Sequence, residues 1–292
     1  MLVTAPVNHG VVDGNPYLDE ILLFDKVEVR RSPLAAWRFV RALRAFRPDL
    51  AFVLNSVSFS GTSAAMALLS GAPHVIGGDS VPFGWSFSRW MYNLEMPADP
   101  IVRGHAIDHQ LAALAAIGIH TEDRSTVVRP RPPMQAQADA FLNTIGASPR
   151  VALHPGAGKV ENRWPAERFA EIARRLIARG AKVYLIEGPA DQAATREFFE
   201  HGPQDLPVLR DVPLAVVASA LGRSDFALVN DTGVMHVAGA MGVPALALFG
   251  PTPKASWQPP SPSLEAIQSD DGRMESIAVD TVWSRIEPRL SV

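Results

Sequence analysis

The stretch Val151-Ala-Leu-His-Pro-Gly-Ala-Gly158, with the helix that follows it from Pro165 to Gly180, decides the fold. Val151 to Leu153 is a short apolar strand that runs into a glycine turn. Proline is favoured at the start of a helix and glycine just past its end. Between the two, Phe169, Ile172, Ala173, Leu176 and Ile177 fall at i, i+3, i+4, i+7 and i+8. That spacing is one buried helix face. The unit then recurs. Val183 to Ile186 reads as a strand, Ala190 to Glu200 as a helix, and a strand lies near Val208. Leu214 to Leu221 is helical, Phe226 to Val229 a strand, Thr232 to Met241 a helix, and Ala245 to Phe249 the last strand. Regular alternation of this kind predicts an α/β fold with a parallel, doubly wound sheet.

Working outward, the first half repeats the pattern less cleanly. Leu2 to Thr4, Ile21 to Phe24, Ala51 to Leu54 and His74 to Ile76 have strand character. Leu34 to Phe46, Ser63 to Leu69 and His105 to Ile117 have helix character. The run Arg129-Pro-Arg-Pro-Pro133 resists regular structure and marks a boundary. The sequence therefore divides into a first domain over residues 1–135, a second over 136–279, and a closing helix within 280–292. Two such domains facing each other across a cleft would place a ligand at the carboxyl ends of the strands.

Composition narrows the function. The chain has 292 residues, 47% apolar and 20% charged, which is ordinary for a globular protein. Its 27 Lys and Arg stand against 30 Asp and Glu, for a net charge of -3. A protein built to hold nucleic acid would show a basic excess, so none is expected as a partner. With no cysteine, disulfides, thiolate metal sites and cysteine nucleophiles are excluded. No charged segment precedes an apolar run at the start, because the first basic residue is Lys26. The expectation is a cytoplasmic protein that can still touch a membrane surface.

Two loops carry chemistry. In His154-Pro-Gly-Ala-Gly-Lys159, Gly156, Ala157 and Gly158 would let backbone N–H groups approach an anion, with Lys159 adding charge. In Asn230-Asp-Thr-Gly-Val-Met-His236, Asp231 and Thr232 are cap residues, and Gly233 opens the turn. His236 stands one turn into that helix. The helix dipole and free N–H groups would suit a diphosphate. Each loop alone also reads as a ligand-free turn or a capped helix. Neither is a dinucleotide fingerprint or a Walker loop, for the required glycines are missing.

The segments HPGAGKVENRWP (residues 154–165), NDTGVMHVAGAMGVP (230–244) and LFGPT (248–252) resemble glycosyltransferase family 9, the heptosyltransferases of bacterial lipopolysaccharide synthesis. GNPYLDEILLFD (14–25) and LSGAPHVIG (69–77) extend the likeness into the first half. The resemblance implies a GT-B fold with an acceptor lobe first and a nucleotide-sugar lobe second. It implies inverting transfer of a sugar, heptose from ADP-heptose, to the inner core of lipopolysaccharide, with no metal and no other cofactor. The partners it implies are a nucleotide-sugar donor and a lipid-linked saccharide acceptor, with peripheral contact at the inner face of the inner membrane. Asp231, Thr232, Gly233 and His236 match the family's donor motif, and His154 and its glycine loop stand beside it. Val212 to Leu214 fall where the family contacts the base, and Asp191 near an acidic donor-lobe position suited to the ribose.

The sequence departs from the family at two places. A lysine common two residues before the Trp-Pro pair is Asn162 here, so Lys159 or Arg163 would have to neutralise the departing phosphate. The strand, loop and helix that open family members, with the acidic catalytic base, have no counterpart. The first domain is therefore expected to be incomplete: either the strands flanking the central position close up, or the domain is defective, or the true start lies upstream of Met1. No residue is assigned as the base, and Asp13, Asp19 and Glu20 are not promoted to it. A non-catalytic or truncated nucleotide-sugar binder is the alternative reading, and a nucleotide-sugar epimerase of similar shape a third.

Other features are weaker. Arg38, Arg41, Arg44 and Arg47, with Arg30 and Arg31, would attract an acidic lipid-linked acceptor or form a solvated helix face. His105, Asp108 and His109 have helical spacing compatible with a metal. Trp85, Trp90 and Tyr92 would line the acceptor side or pack as core.

Overall fold

The computed structural model describes residues 1–54, 59–80, 84, 88–96, 104–115, 117–147 and 149–290. The chain forms two compact units. One comprises Met1–His9 and Tyr17–Arg124. The other comprises Gly10–Pro16 and Ser125–Val292. Both are α/β with parallel strands, as the alternation predicts.

In chain order the elements are β1 (Leu2–Thr4), α1 (His9–Val12), β2 (Ile21–Leu23), α2 (Lys26–Arg31), α3 (Pro33–Ala45), β3 (Leu50–Val53), α4 (Gly61–Leu69), β4 (His74–Gly78), α5 (Ser88–Met91), β5 (Leu94–Met96) and α6 (Ala106–Ala115). There follow α7 (Pro132–Ile145), β6 (Arg150–His154), α8 (Ala166–Ala178), β7 (Lys182–Glu187), α9 (Gln192–His201), β8 (Val208–Arg210), α10 (Leu214–Leu221) and β9 (Phe226–Asn230). The chain closes with α11 (Gly233–Met241), β10 (Ala245–Phe249), α12 (Lys254–Trp257), β11 (Leu264–Gln268) and α13 (Val279–Ile286).

The larger unit is one six-stranded sheet in the order β11-β10-β9-β6-β7-β8. β6 is central, and its side chains alternate between two cores. Ala152 enters the cluster formed with α7, α10 and α11, while Val151 and Leu153 enter the one formed with α8, α9 and α13. The α8 face read from the sequence is buried at Phe169, Ile172, Ala173 and Leu176, whereas Ile177 stays exposed at its edge. Burying each large side chain contributes about 1.5–3 kcal/mol. Trp164 is fully buried ahead of this helix, and its indole N–H donates to the Ile277 carbonyl at 2.9 Å.

Three elements correct the sequence reading. β10 is not the last strand, because β11 pairs with it in parallel. Helix α7 starts inside the proline run, at Pro132, where a missing N–H costs nothing. Val279–Ile286 forms the closing helix, followed by a single 3-10 turn over Glu287–Arg289.

Among the described residues the smaller unit has two separate sheets, β1-β2 and β3-β4-β5. Its core is thin, centred on Val53, Ala64, Ala67, Val75 and Tyr92. Tyr92 is core, pressed on Gly77 so closely that a Cβ there would lie 2.4 Å from the ring. Burial raises the Tyr92 phenol to about 12, with the negative charge of Glu95 adding to it. Trp90 is exposed, and Trp85 lies outside the described residues. The metal reading of His105, Asp108 and His109 fails. Asp108 pairs with Arg124 at 2.5 Å, and His105 Nδ1 accepts from the Ile107 N–H. No group of three metal-ligating side chains occurs among the described residues. Among those residues, too, no helix is long and apolar enough to cross a membrane.

Leu176→Ala is expected to lower stability by about 2–5 kcal/mol in urea denaturation, because it leaves a cavity in α8's buried face. The same truncation at exposed Leu34 is expected to change stability by less than about 0.5 kcal/mol.

Candidate functional site

All strands of the larger sheet run parallel, so the loops after β10, β9, β6 and β7 emerge in a row at one edge. Asn230, the last residue of β9, is fully buried and ties two of them. Its amide donates to the carbonyls of Pro155 and Gly156 at 3.0 and 3.1 Å, and its oxygen accepts from the Trp164 N–H at 3.2 Å. The glycine loop after β6 is thereby fixed at both ends.

His154 is buried at the end of β6 and spans its neighbours. Nε2 lies 3.1 Å from Asp191 Oδ2, and Nδ1 lies 3.4 Å from the Thr232 hydroxyl. The same Asp191 oxygen accepts from the Gly188 N–H at 2.9 Å. Gly156 is needed here, since a Cβ on it would sit 2.0 Å from Asp191 Oδ1. Burial works to raise the Asp191 carboxyl. The hydrogen bond and charge of His154, the Gly188 N–H and Arg163 outweigh it and hold the group below its usual range.

Asn162 makes the second bridge. It is buried, and its amide donates to Asp231 Oδ2 at 3.1 Å and to the Thr252 hydroxyl at 3.3 Å. Burial raises the Asp231 carboxyl, with Thr252, His236 and Lys159 pulling the other way. Thr232 caps α11 by accepting from the Val234 N–H at 3.2 Å. Around Gly158 and Gly233 there is open space, so an anion can reach both turns. The two candidate cations differ. Arg163 donates twice to the Ala157 carbonyl, at 3.1 and 3.0 Å, and so holds the loop. Lys159 is exposed beside Gly158.

The structure thus gathers His154, Gly156, Ala157, Gly158, Lys159, Arg163, Asp191, Asp231, Thr232 and Gly233 at one sheet edge. His236 is exposed on α11, and Val212 and Leu214, before and at the start of α10, pack against the core that α7, α10 and α11 share. Asn230, Thr252 and Trp164 were not singled out as site residues. Their partners are distant in sequence, and only a buried amide closing a strand hints at the role of Asn230.

A family model, glycosyltransferase family 9 (heptosyltransferase), matches residues 36–282. The chain belongs to this family. Lipopolysaccharide heptosyltransferase 1 of Pseudomonas aeruginosa is 36% identical over 107 residues, covering 37% of this chain and 30% of that protein. A glycosyltransferase family 9 structure from Veillonella parvula aligns with a TM-score of 0.85 at 23% identity, over 99% of this chain and 87% of the other. The Escherichia coli ADP-heptose lps heptosyltransferase II aligns at 0.79 and 21%, over 99% and 88%. These likenesses establish the GT-B fold. Matches to curated relatives span between 30% and 53% of those proteins' lengths.

Because the folded Asp191 carboxyl is depressed, its contribution is complete above its unfolded value near 3.9 and is lost as pH falls through the folded value. Asp191→Asn is expected to cost about 1–3 kcal/mol at neutral pH. It should also flatten the fall in stability at acid pH, followed by thermal melts across pH. An acid limb identical to wild type would contradict this pairing.

Proposed function

We propose that this chain is an inverting, metal-independent glycosyltransferase that takes a nucleotide-diphospho-sugar, ADP-heptose, and transfers heptose to the inner core of lipopolysaccharide. The observation carrying this is the interlocking of two anion-ready turns. Asn162 joins Asp231 at 3.1 Å, and His154 faces Thr232 at 3.4 Å, while Gly158 and Gly233 stay open. A diphosphate leaving the sugar would meet N–H groups of both turns, the positive end of α11 and Lys159. Arg163 serves by holding the loop. His154 and Asp191 act by positioning, and Val212 and Leu214 offer an apolar rest for adenine. The acceptor hydroxyl attacks the anomeric carbon from the face opposite the leaving phosphate, giving inversion, and a base takes its proton. The described residues assign no base.

The alternative is a nucleotide-sugar binder without turnover, favoured by the divided sheet of the smaller unit. Calorimetry with ADP, paired with ADP-heptose turnover on a heptose-deficient lipopolysaccharide, separates the two. Binding with ADP release and an inverted product supports the enzyme. Binding without release supports the alternative. Loss of both removes the donor-site reading. Lys159→Ala is expected to weaken ADP binding about 10-fold, as removing one charge-assisted contact does. Arg163→Ala is expected to act mainly through stability.

A lipid-linked acceptor places the protein against the inner face of a membrane. Seven basic residues and only Glu28 of opposite sign stand between Lys26 and Arg47. Leu34, Trp37, Arg38 and Arg41 share one exposed stripe of α3, and the Arg41 guanidinium lies over the Trp37 ring. Arg and Trp on one face suit an anionic interface. The protein is expected to sediment with phosphatidylglycerol vesicles, in a salt-sensitive way, and not with phosphatidylcholine. Arg38→Glu with Arg41→Glu should abolish this.

A further inference from the structure

Asp191, His154 and Thr232 stand at the ends of three adjacent strands, β7, β6 and β9. His154 and Asp191 are buried, so their hydrogens are assigned by the partners around them. Asp191 Oδ2 already accepts from the Gly188 N–H at 2.9 Å, and the carboxyl is held below its usual range. An ionised carboxylate only accepts. His154 Nε2, 3.1 Å away, therefore donates to it. In a neutral imidazole that leaves Nδ1 as an acceptor.

The Thr232 hydroxyl faces that nitrogen. Its oxygen accepts from the Val234 N–H at 3.2 Å as the cap of α11, and its hydrogen is drawn to Nδ1 at 3.4 Å. In this state the hydroxyl offers an incoming anion only a lone pair. Yet Gly233 beside it faces open space, where a phosphoryl group would meet the helix end. A second proton on the ring reverses the bond. Nδ1–H then donates to the Thr232 oxygen, and the hydroxyl hydrogen is free to donate to a phosphoryl oxygen. The Val234 bond is unchanged, and both lone pairs and the hydrogen of the hydroxyl are used.

We infer that Asp191, His154 and Thr232 form a relay in which a phosphoryl group takes the Thr232 hydrogen bond while His154 Nδ1 gains one proton from solvent. His154 and Asp191 are positioning residues in this relay, acting through Thr232. Of the charged groups around the ring, Asp191 at the start of α9 favours the imidazolium directly, and Arg163, which acts on Asp191, opposes it. On the neighbouring turn stand Asp231, raised by its own burial, and Lys159 and His236, which act on Asp231. The charge of a bound phosphoryl group adds to the pull of Asp191. The relay rests on the donor-site reading.

Calorimetry of ADP binding to the full chain, in buffers of differing ionisation heat, counts the protons taken up. His154→Gln keeps a donor toward Asp191 and removes the titrating ring. Thr232→Val keeps the branched shape and removes the acceptor for Nδ1–H. Near neutral pH, wild type is expected to take up about 0.5–1 proton per ADP more than either variant. The phosphate of ADP and the exposed His236 titrate in all three chains, so the difference isolates His154. Relative to His154→Gln, wild-type affinity should fall as pH rises, by up to about 10-fold per pH unit. Nitrogen-15 spectra of the wild-type histidine rings report the same step without a substitution. The buried ring, marked by a slowly exchanging Nε2–H, should pass from neutral to doubly protonated at ADP saturation. Equal proton uptake in all three chains, or a buried ring that stays neutral with ADP bound, would overturn the relay and leave the donor site standing. No ADP binding by wild type would remove the donor-site reading and the relay with it.

Discussion

The site depends on the burial of one side-chain amide. Asn230 ends the strand next to β6, fully buried from bulk solvent, so each of its polar atoms needs a partner. It finds them in the loop after β6 and in the Trp164 N–H. A loop that leaves a strand through Pro155 and two glycines has wide conformational freedom, and this amide removes it. His154 does the same on the other side, joining the start of α9 to the cap of α11. Three parallel strands thus hold three loops in register, and the backbone N–H groups of the turns are oriented before any ligand arrives. Preorganisation of this kind is what makes fixed dipoles effective toward developing charge.

Asp231 belongs to the same framework through its hydrogen bond with Asn162. A carboxylate beside a diphosphate would oppose binding. Burial raises the Asp231 carboxyl, against the pull of Thr252, His236 and Lys159, and one oxygen accepts from the Asn162 amide. The side chain works as a strut between the turn after β9 and the segment before Trp164. The position that carries lysine in relatives by sequence reading is also structural here, since Asn162 is buried and committed to Asp231 and Thr252. In the proposed reading positive charge toward the diphosphate comes from Lys159, while Arg163 donates twice to the Ala157 carbonyl.

Much of this was legible from the residues. The period of Phe169, Ile172, Ala173 and Leu176 gave α8, and the apolar runs gave the buried strands of the larger sheet. Edge elements were not legible. β11 reads Leu-Glu-Ala-Ile-Gln, half-buried, with no long apolar run to announce it. Leu94–Met96 is too short to show alternation, and Lys26–Arg31 is a six-residue helix whose start signal is the Asp25 side chain accepting from Val27 and Glu28. Within the site, glycines and caps were visible because their roles are local. Asn230, Thr252 and Trp164 were missed because their partners come from other loops, which only the folded sheet brings near.

The contrast between the two units argues for how such a sheet is stabilised. In the larger one the central strand meets a ladder on each side and a core on each face, so it contributes to four contacts at once. The smaller unit has helices and outer strands of comparable length, yet large apolar side chains remain exposed across it, from Leu23 and Val27 to Leu50, Leu54 and Leu94. Its helices do not lack apolar faces, because Phe39 and Leu43 are buried in α3. Among the described residues its strands stand in two separate sheets, and no single strand joins them. A strand at the centre of one continuous sheet therefore contributes more than its own buried area, since its neighbours' ladders and cover depend on it as well.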